Sequence, residues 1–263
     1  MNVEILQDDD QSQSESLFRF LSLHKFISLL TQKTLFFTRL DLLSDPFEGV
    51  STTLIKQRYL ARLIPTRDRM NPRLPQDLIE KNLLEKEYTE KHYNKEALIK
   101  QKSQFVNCWF RGDRESMAMW NLYSNKESVA LKVDKKDLLD YLTQNIKLQP
   151  LMNPKHRLIC GPVKYFKLNP VDLYEKVKNV TYSAFKKDVS FSFENEYRLL
   201  IATPTNNTEN NPPNIELNIS DILFEKLDVI AHPEMLSWQY DNITQLCHDI
   251  KFRSINRSQI EIK

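Results

Sequence analysis

VSFSFENEYRLLIAT, residues 189–203, is the longest strand candidate in the chain. Its aromatic and aliphatic residues, followed by an Asn-, Thr- and Pro-rich loop over 204–214, read as one extended segment with a long apolar face. Side chains alternate along a strand, so Glu194, Glu196 and Arg198 fall on one face and Phe193, Asn195 and Tyr197 on the other. Further strands are read at 17–20, 34–38, 104–110, 128–133, 162–166 and 227–231. Apolar residues at helical spacing mark 24–32, 115–123, 138–142 (capped by Asp134), 171–185 and 238–248. Asp45-Pro46-Phe47-Glu48 reads as a helix start, with Asp45 as N-cap and Glu48 as the reciprocal member of a capping box. The whole predicts an α+β fold: a mixed, largely antiparallel central sheet flanked by helices.

Composition narrows the class of protein. The chain has 263 residues, with 37 Lys and Arg against 35 Asp and Glu, so neither a nucleic-acid coat nor a purely acidic partner is indicated. Residues 1–16 carry Glu4, Asp8, Asp9, Asp10 and Glu15 with no basic residue, and read as a disordered acidic tail. Residues 17–263 then form a single α+β domain. Within it, 55–102 stand apart: twelve basic and seven acidic residues, no Gly and no Trp. Prolines break the first part, and 76–102 read as one long solvated helix, so the region is a helical insertion. Cys108, Cys160 and Cys247 are scattered, which argues against a disulfide framework or a zinc site. Three glycines leave no phosphate loop of the P-loop or Rossmann kind. Neither a signal peptide nor a run of about 20 apolar residues is present, so a cytoplasmic location without membrane attachment is expected.

Four segments taken in order carry a family resemblance. They are Leu17-Phe18-Arg19-Phe20, then Leu43-Ser44-Asp45-Pro46-Phe47-Glu48-Gly49, then Cys108-Trp109-Phe110 with Met119-Trp120-Asn121-Leu122-Tyr123, and finally Phe193-Glu194-Asn195-Glu196-Tyr197-Arg198. In order and spacing the chain resembles the bacterial family catalogued as domain of unknown function 2971, from about residue 17 onward. Ser44 departs from the Asn usual there, and Lys126-Glu127-Ser128 lacks the glycine usual after the aromatic helix. An Arg in a first strand, an aromatic helix and a late strand opening with Glu are also similar, at the level of fold, to the NAD-consuming ADP-ribosyltransferase superfamily. That similarity implies an enzyme cleaving NAD at the nicotinamide bond without a metal, in the manner of a bacterial toxin, effector or phage-defence protein.

The residues fit such roles as follows. Glu196 would stabilise an oxocarbenium-like transition state, kept ionised by Arg198, and Glu194 would orient the acceptor or a ribose hydroxyl. Two carboxylates about 7 Å apart on one strand face suit developing positive charge; an exposed Glu/Arg ladder is the structural alternative. The planar fork of Arg19 suits a diphosphate, although an Arg between aromatics also simply packs. Trp120 and Tyr123 share a helix face and would line the nicotinamide pocket, or else belong to the core. Asp45 and Glu48 would edge the pocket besides capping. A Cys108 nucleophile with His156 or His232 as base finds no activating group in its strand. The competing expectation is a non-catalytic module that holds RNA or a protein through the basic insertion.

Overall fold

A computed structural model of the chain describes residues 2–6, 15–45, 47–71, 73–145, 155–167 and 182–261. Its central strand, β9 (Glu196–Ala202), is buried nearly end to end. β9 lies antiparallel between β4 (Gln104–Gly112) and β6 (Arg157–Pro162). Beyond β6, β1 (Asn2–Ile5) adds a parallel strand. On the other side follow β2 (Ser16–Leu21), β5 (Val129–Asp134) and β11 (Asp228–Ala231), then β12 (Ser254–Arg257), parallel to β11. The expected α+β class, with a mixed and largely antiparallel sheet, is what the chain forms.

The sheet has one irregularity that matters for the site. β4 is nine residues long, and two strands share its outer edge. Ser16–Phe18 of β2 pair with Phe110–Gly112, whereas Thr38 and Arg39 of β3 (Thr34–Arg39) pair with Val106 and Phe105. β2 and β3 run the same way and are joined by α1 (Leu23–Gln32), yet they do not pair with each other. β2 continues along β5, and β3 along β10 (Asn214–Asn218). The sheet therefore forks opposite Asn107, Cys108 and Trp109. Side chains take over part of the missing ladder: Asn107 Nδ2 and Arg19 Nη2 both donate to the Phe36 carbonyl, at 2.9 and 3.2 Å.

Alternation along the strands divides the core between two faces. Tyr197, Leu199 and Ile201 join Leu17, Phe37 and Trp109 in the larger cluster, which α1, α5 (Lys135–Asn145), α6 (Asp221–Phe224) and α7 (Ser237–Leu246) cover. On the opposite face Leu200 packs with Val106, Ile159 and Phe185. Further along that face, Phe18, Ala130 and Ile230 pack on Trp120 of α4 (Met117–Tyr123). Glu196 and Arg198 share the parity of Leu200 and so fall between these two apolar clusters. The insertion is a pair of packed helices, α2 (Thr52–Leu63) and α3 (Gln76–Lys102), held by Val50, Ile55, Tyr93 and Ala97. Arg58 lies over the Tyr93 ring at 4.7 Å. Among the described residues no helix is long and apolar enough to cross a membrane.

Three expectations need correction. The segment expected to be a disordered tail contains β1, because Val3 packs on the larger core and the acidic residues have partners. Glu4 accepts from Tyr182 at 2.7 Å, and Glu15 pairs with Lys135 at 2.6 Å and Arg111 at 2.8 Å; residues 7–14 lie outside those described. The segment 189–203 is not one strand: Val189–Glu194 is a 3-10 turn, Asn195 is left-handed at φ 35°, and β9 starts only at Glu196. No helix starts at Asp45, whose carboxylate instead closes a turn by accepting from Phe47 N at 2.8 Å. Gly49 at φ +68° breaks the path, and α2 begins after Ser51, whose Oγ accepts from Leu54 N at 3.3 Å. The helix read at 171–185 lies outside the described residues except for a 3-10 turn at Ser183–Phe185.

Strand β1 covers an edge of β6 that would otherwise offer unpaired backbone to other chains. Deleting residues 1–6 is expected to lower the thermal midpoint and to raise light scattering at protein concentrations where the full chain stays clear.

Candidate active site

Burying a guanidinium requires compensation from every side, and Arg198 is wholly buried in the middle of β9. Its Nη1 and Nη2 grip Glu48 in a two-pronged pair at 2.7 and 2.8 Å. Nε meets Glu196 at 2.5 Å, and Nη1 also reaches the Ala184 carbonyl at 2.6 Å. Glu48 comes from the loop before α2, which is fixed by three further bonds. Gln101 Nε2, Ser183 Oγ and Lys186 Nζ donate to the carbonyls of Glu48, Gly49 and Val50, at 3.0, 2.6 and 2.6 Å. Burial lowers the Lys186 pKa to about 8.

A second cation completes the cluster. Lys187, in the short strand β8 (Lys186–Asp188) that pairs with β7 (Lys164–Phe166), places its Nζ 2.5 Å from Glu194 and 3.3 Å from both Glu196 and Glu48. The chain reverses through the 3-10 turn between Lys187 and Glu194, which brings residues seven apart face to face. Asn195 in its left-handed conformation then separates Glu194 from Glu196, and the two carboxylates share Lys187. Tyr123 donates to Glu194 Oε1 at 2.5 Å, and Glu196 N donates to Tyr165 Oη at 2.9 Å.

Three carboxylates thus surround two cations, leaving one negative charge in excess. Asp45 and Lys186 stand nearby and cancel each other in this count. The excess is divided unequally. Burial pushes Glu196 up, but Arg198 and Lys187 outweigh it and hold the carboxyl at about 2. Glu194 is raised, chiefly by burial and then by the neighbouring Glu196 carboxyl. A carboxyl pair held apart in this way has one member that stays ionised and one that exchanges a proton more readily. Burial opposes the Lys187 charge as well, yet Glu196 and Glu48 keep its pKa above the ordinary value.

This cluster walls a cavity of about 300 Å³ on the forked side of the sheet. Arg19, Asp45, Glu48, Tyr123, Glu194, Glu196 and Arg198 all line it. Their roles differ from those read in the sequence. Arg198 and Glu48 are fully engaged with each other and act as scaffold, whereas Tyr123, 49% exposed, presents its ring at the mouth. Trp120 is no wall: it is wholly buried against Phe18, Ala130 and Ile230, and its Nε1 donates to Glu115 at 2.7 Å. Phe18, Phe20, Trp109, Phe110 and Phe191 supply the aromatic lining beside Tyr123. Cys108 lines the cavity too, but burial lifts its thiol to about 12, so no thiolate is available. Lys187 has no place among the residues that the sequence singles out for NAD chemistry; the adjacent lysines ahead of two near-adjacent glutamates are the signal that could have found it. Among the described residues no group of His, Cys, Asp or Glu is arranged to hold a metal ion.

Residues 119–199 match the model of the family described as "Protein of unknown function (DUF2971)". That span holds most of α4 together with Lys187, Glu194, Glu196 and Arg198, and so most of the charged cluster. No curated protein and no solved structure matches the chain. None of these comparisons links it to the ADP-ribosyltransferases.

Glu196 carries an acid-limb signature. Its pKa is depressed on folding from the ordinary 4.5 to about 2, so its stabilisation is complete above about 4.5 and disappears as pH falls towards 2. Glu194, raised on folding, works in the opposite sense. Urea titrations of the wild type from pH 6 to about 2.5 are expected to show a steep loss below 4.5, and Glu196→Gln a shallower one. Glu48→Gln, which strips Arg198 of its two-pronged partner, is expected to cost about 3–5 kcal/mol at neutral pH.

Proposed function

We propose that the chain is an enzyme that cleaves the nicotinamide–ribose bond of NAD or a related nucleotide, as an ADP-ribosyltransferase or glycohydrolase does. One observation carries this reading. The cavity holds charges of both signs, one surplus carboxylate charge at Glu194 and Glu196 and the guanidinium of Arg19, which no carboxylate among the described residues pairs with. A nicotinamide nucleotide likewise carries both signs, a cationic ring on a ribose at one end and phosphates at the other. A cavity of about 300 Å³ suits that reactive half, and its apolar rings suit a planar heterocycle.

In the proposed step the ribose C1′–N bond breaks and its electron pair leaves with nicotinamide, which departs neutral. Positive charge then moves to the ribosyl oxocarbenium, where the ionised Glu196 stabilises it. Glu194 and the Tyr123 hydroxyl hold a ribose hydroxyl or the incoming nucleophile. Water or an acceptor hydroxyl adds at C1′ and releases its proton to the carboxyl pair. Arg198, Glu48 and Lys187 keep the carboxylates in place before substrate arrives. The acceptor is either water or a macromolecule, and the biological setting in keeping with this chemistry is a bacterial toxin, effector or defence protein.

The test is nicotinamide release from NAD, with and without cell lysate. Wild type is expected to release it, and Glu196→Gln to do so about 10²-fold more slowly. Because Glu196 is buried and ion-paired, Glu194→Gln and the half-exposed Tyr123→Phe provide variants that disturb the Arg198 network less, with circular dichroism as the control. Silence from folded wild type with lysate, or full activity in Glu196→Gln, would sink the assignment.

A second reading has its own observation. The loop joining α2 and α3 exposes Arg67, Arg69 and Arg73, and α3 exposes Leu84 (67%) and Tyr88 (72%). A non-catalytic module would hold RNA or a protein with this hairpin. RNA affinity that falls steeply with salt, and disappears in R67E/R69E/R73E while Glu196→Gln binds normally, is the expected result for RNA. No RNA binding at low salt, alongside binding of a protein partner lost in the same variant, assigns the hairpin to protein.

A further inference from the structure

The outer face of α3 carries a pattern that its packing on α2 does not use. Inward, the helix buries Tyr93 and Ala97 against Val50 and Ile55. Leu84 and Tyr88 each precede one of these by nine residues, about two and a half turns, and so project from the opposite side. Both are exposed there, and the Tyr88 ring stacks on His92 one turn further, 6.2 Å between centroids and 4° between planes.

Charges are sorted by sign on either side of this apolar centre. Before Tyr88 the exposed ionic residues of α3 are Asp77, Glu80, Glu85 and Glu87, against Lys81 alone. After it they are Lys91, Lys95 and Lys100, with no exposed acid. The helix dipole favours acids in the first turn and bases in the last, but its influence ends within those turns. Glu85, Glu87, Lys91 and Lys95 lie in the middle of the helix, beyond its reach. Pairing within the helix is served equally well by charges of alternating sign, so it does not require the sorting either.

A helix that is acidic in one half, apolar at its centre and basic in the other half is complementary to itself run antiparallel. We propose that a second copy of the chain docks on this face, α3 against α3 about a twofold axis. Each acidic half then meets the basic half of the other copy, and Leu84 and Tyr88 pack where the helices cross. The helix is about 40 Å long, and a strip about 10 Å wide along it is about 400 Å² per copy. That is about half of what a standard interface buries per partner, so the dimer is reversible and concentration-dependent. Near the end of α3, Gln101 holds the Glu48 carbonyl, so the interface is built on the helix that steadies the candidate site. The inference does not depend on NAD cleavage. It commits the apolar face of the hairpin to this same chain, rather than to RNA or a different protein.

Sedimentation velocity of the full chain from about 1 μM to about 1 mM, the range of weak complexes, decides it. The wild-type mass is expected to rise from monomer towards dimer across the series, and to rise less at high salt. L84E/Y88E is expected to weaken the dimer by about tenfold or more. D77K/E80K makes both halves basic at these positions and K91E/K95E makes both acidic, so each alone is expected to self-associate about tenfold more weakly. An equimolar mixture of those two variants is expected to regain association close to wild type, because the reversed halves complement each other. All six positions are exposed, and circular dichroism checks that each variant is folded. A wild type that stays monomeric throughout, association unaltered in the variants, or a mixture no better than its components overturns the proposal. So does a monomeric wild type whose binding of RNA or of a different protein is lost in L84E/Y88E, which gives the face to that partner.

Discussion

One buried guanidinium organises this molecule. Arg198 sits on the central strand β9 with no access to water, and so cannot be tolerated without partners. Glu48 is brought to it from a loop 150 residues away in sequence, and that loop must be held by Gln101, Ser183 and Lys186 for the pairing to persist. The constraint therefore runs from β9 through the segment before α2 to the base of α3. Buried ion pairs of this kind are weak evidence for net stability, since apolar replacements of equal volume often do as well. What such a pair does provide is a single geometry for the carboxylates around it, and that is what a site for a charged transition state requires.

The two arginines that face the cavity illustrate opposite solutions to the same physical problem. Arg198 is fully bonded by Glu48, Glu196 and a backbone carbonyl, and its charge is neutralised inside the protein. Arg19 has one carbonyl and an idle nitrogen. The difference arises from the fork. β2 and β3 both belong beside β4, and neither occupies the stretch opposite Asn107–Trp109, so the sheet contains a gap where a side chain rather than a strand fills the edge. α1 joins the two strands and closes one side of this gap, which is why a cavity exists inside a sheet that is otherwise continuously paired.

Much of this is legible in the sequence. The strands with strong apolar alternation, β2, β3, β4 and β5, and the helices α1, α3 and α7 fall close to where periodicity puts them. Short polar strands escape it: β10, Asn-Ile-Glu-Leu-Asn, and β12, Ser-Ile-Asn-Arg, carry little apolar signal and are extended because a neighbour pairs with them. A shared strand face predicts that the carboxylates Glu194 and Glu196 converge. They do converge, but through a 3-10 turn and a left-handed Asn195, a local event that alternation cannot encode. Trp120 and Tyr123 show the limit of spacing arguments most sharply. Three residues apart on α4, one is sealed in the core and the other reaches Glu194, because which edge of a helix face meets the sheet is a property of tertiary packing.

The surplus charge is the feature least explained by folding alone. A network built only to bury Arg198 would be complete with Glu48 and Glu196, two carboxylates for one guanidinium with Lys187 to balance the second. Glu194 is then superfluous: it brings a further buried carboxyl, raised by desolvation, into contact with one already ionised. Placing a like charge there is unfavourable unless something positive arrives. In the same cavity the guanidinium of Arg19 presents the mirror-image situation, a positive charge that no carboxylate pairs with among the described residues. Either imbalance alone could be an accident of packing. Both on one cavity, with opposite signs, make the cavity complementary to a ligand that carries charges of both signs; an apolar ligand would relieve neither imbalance, and a uniformly charged one would relieve only one.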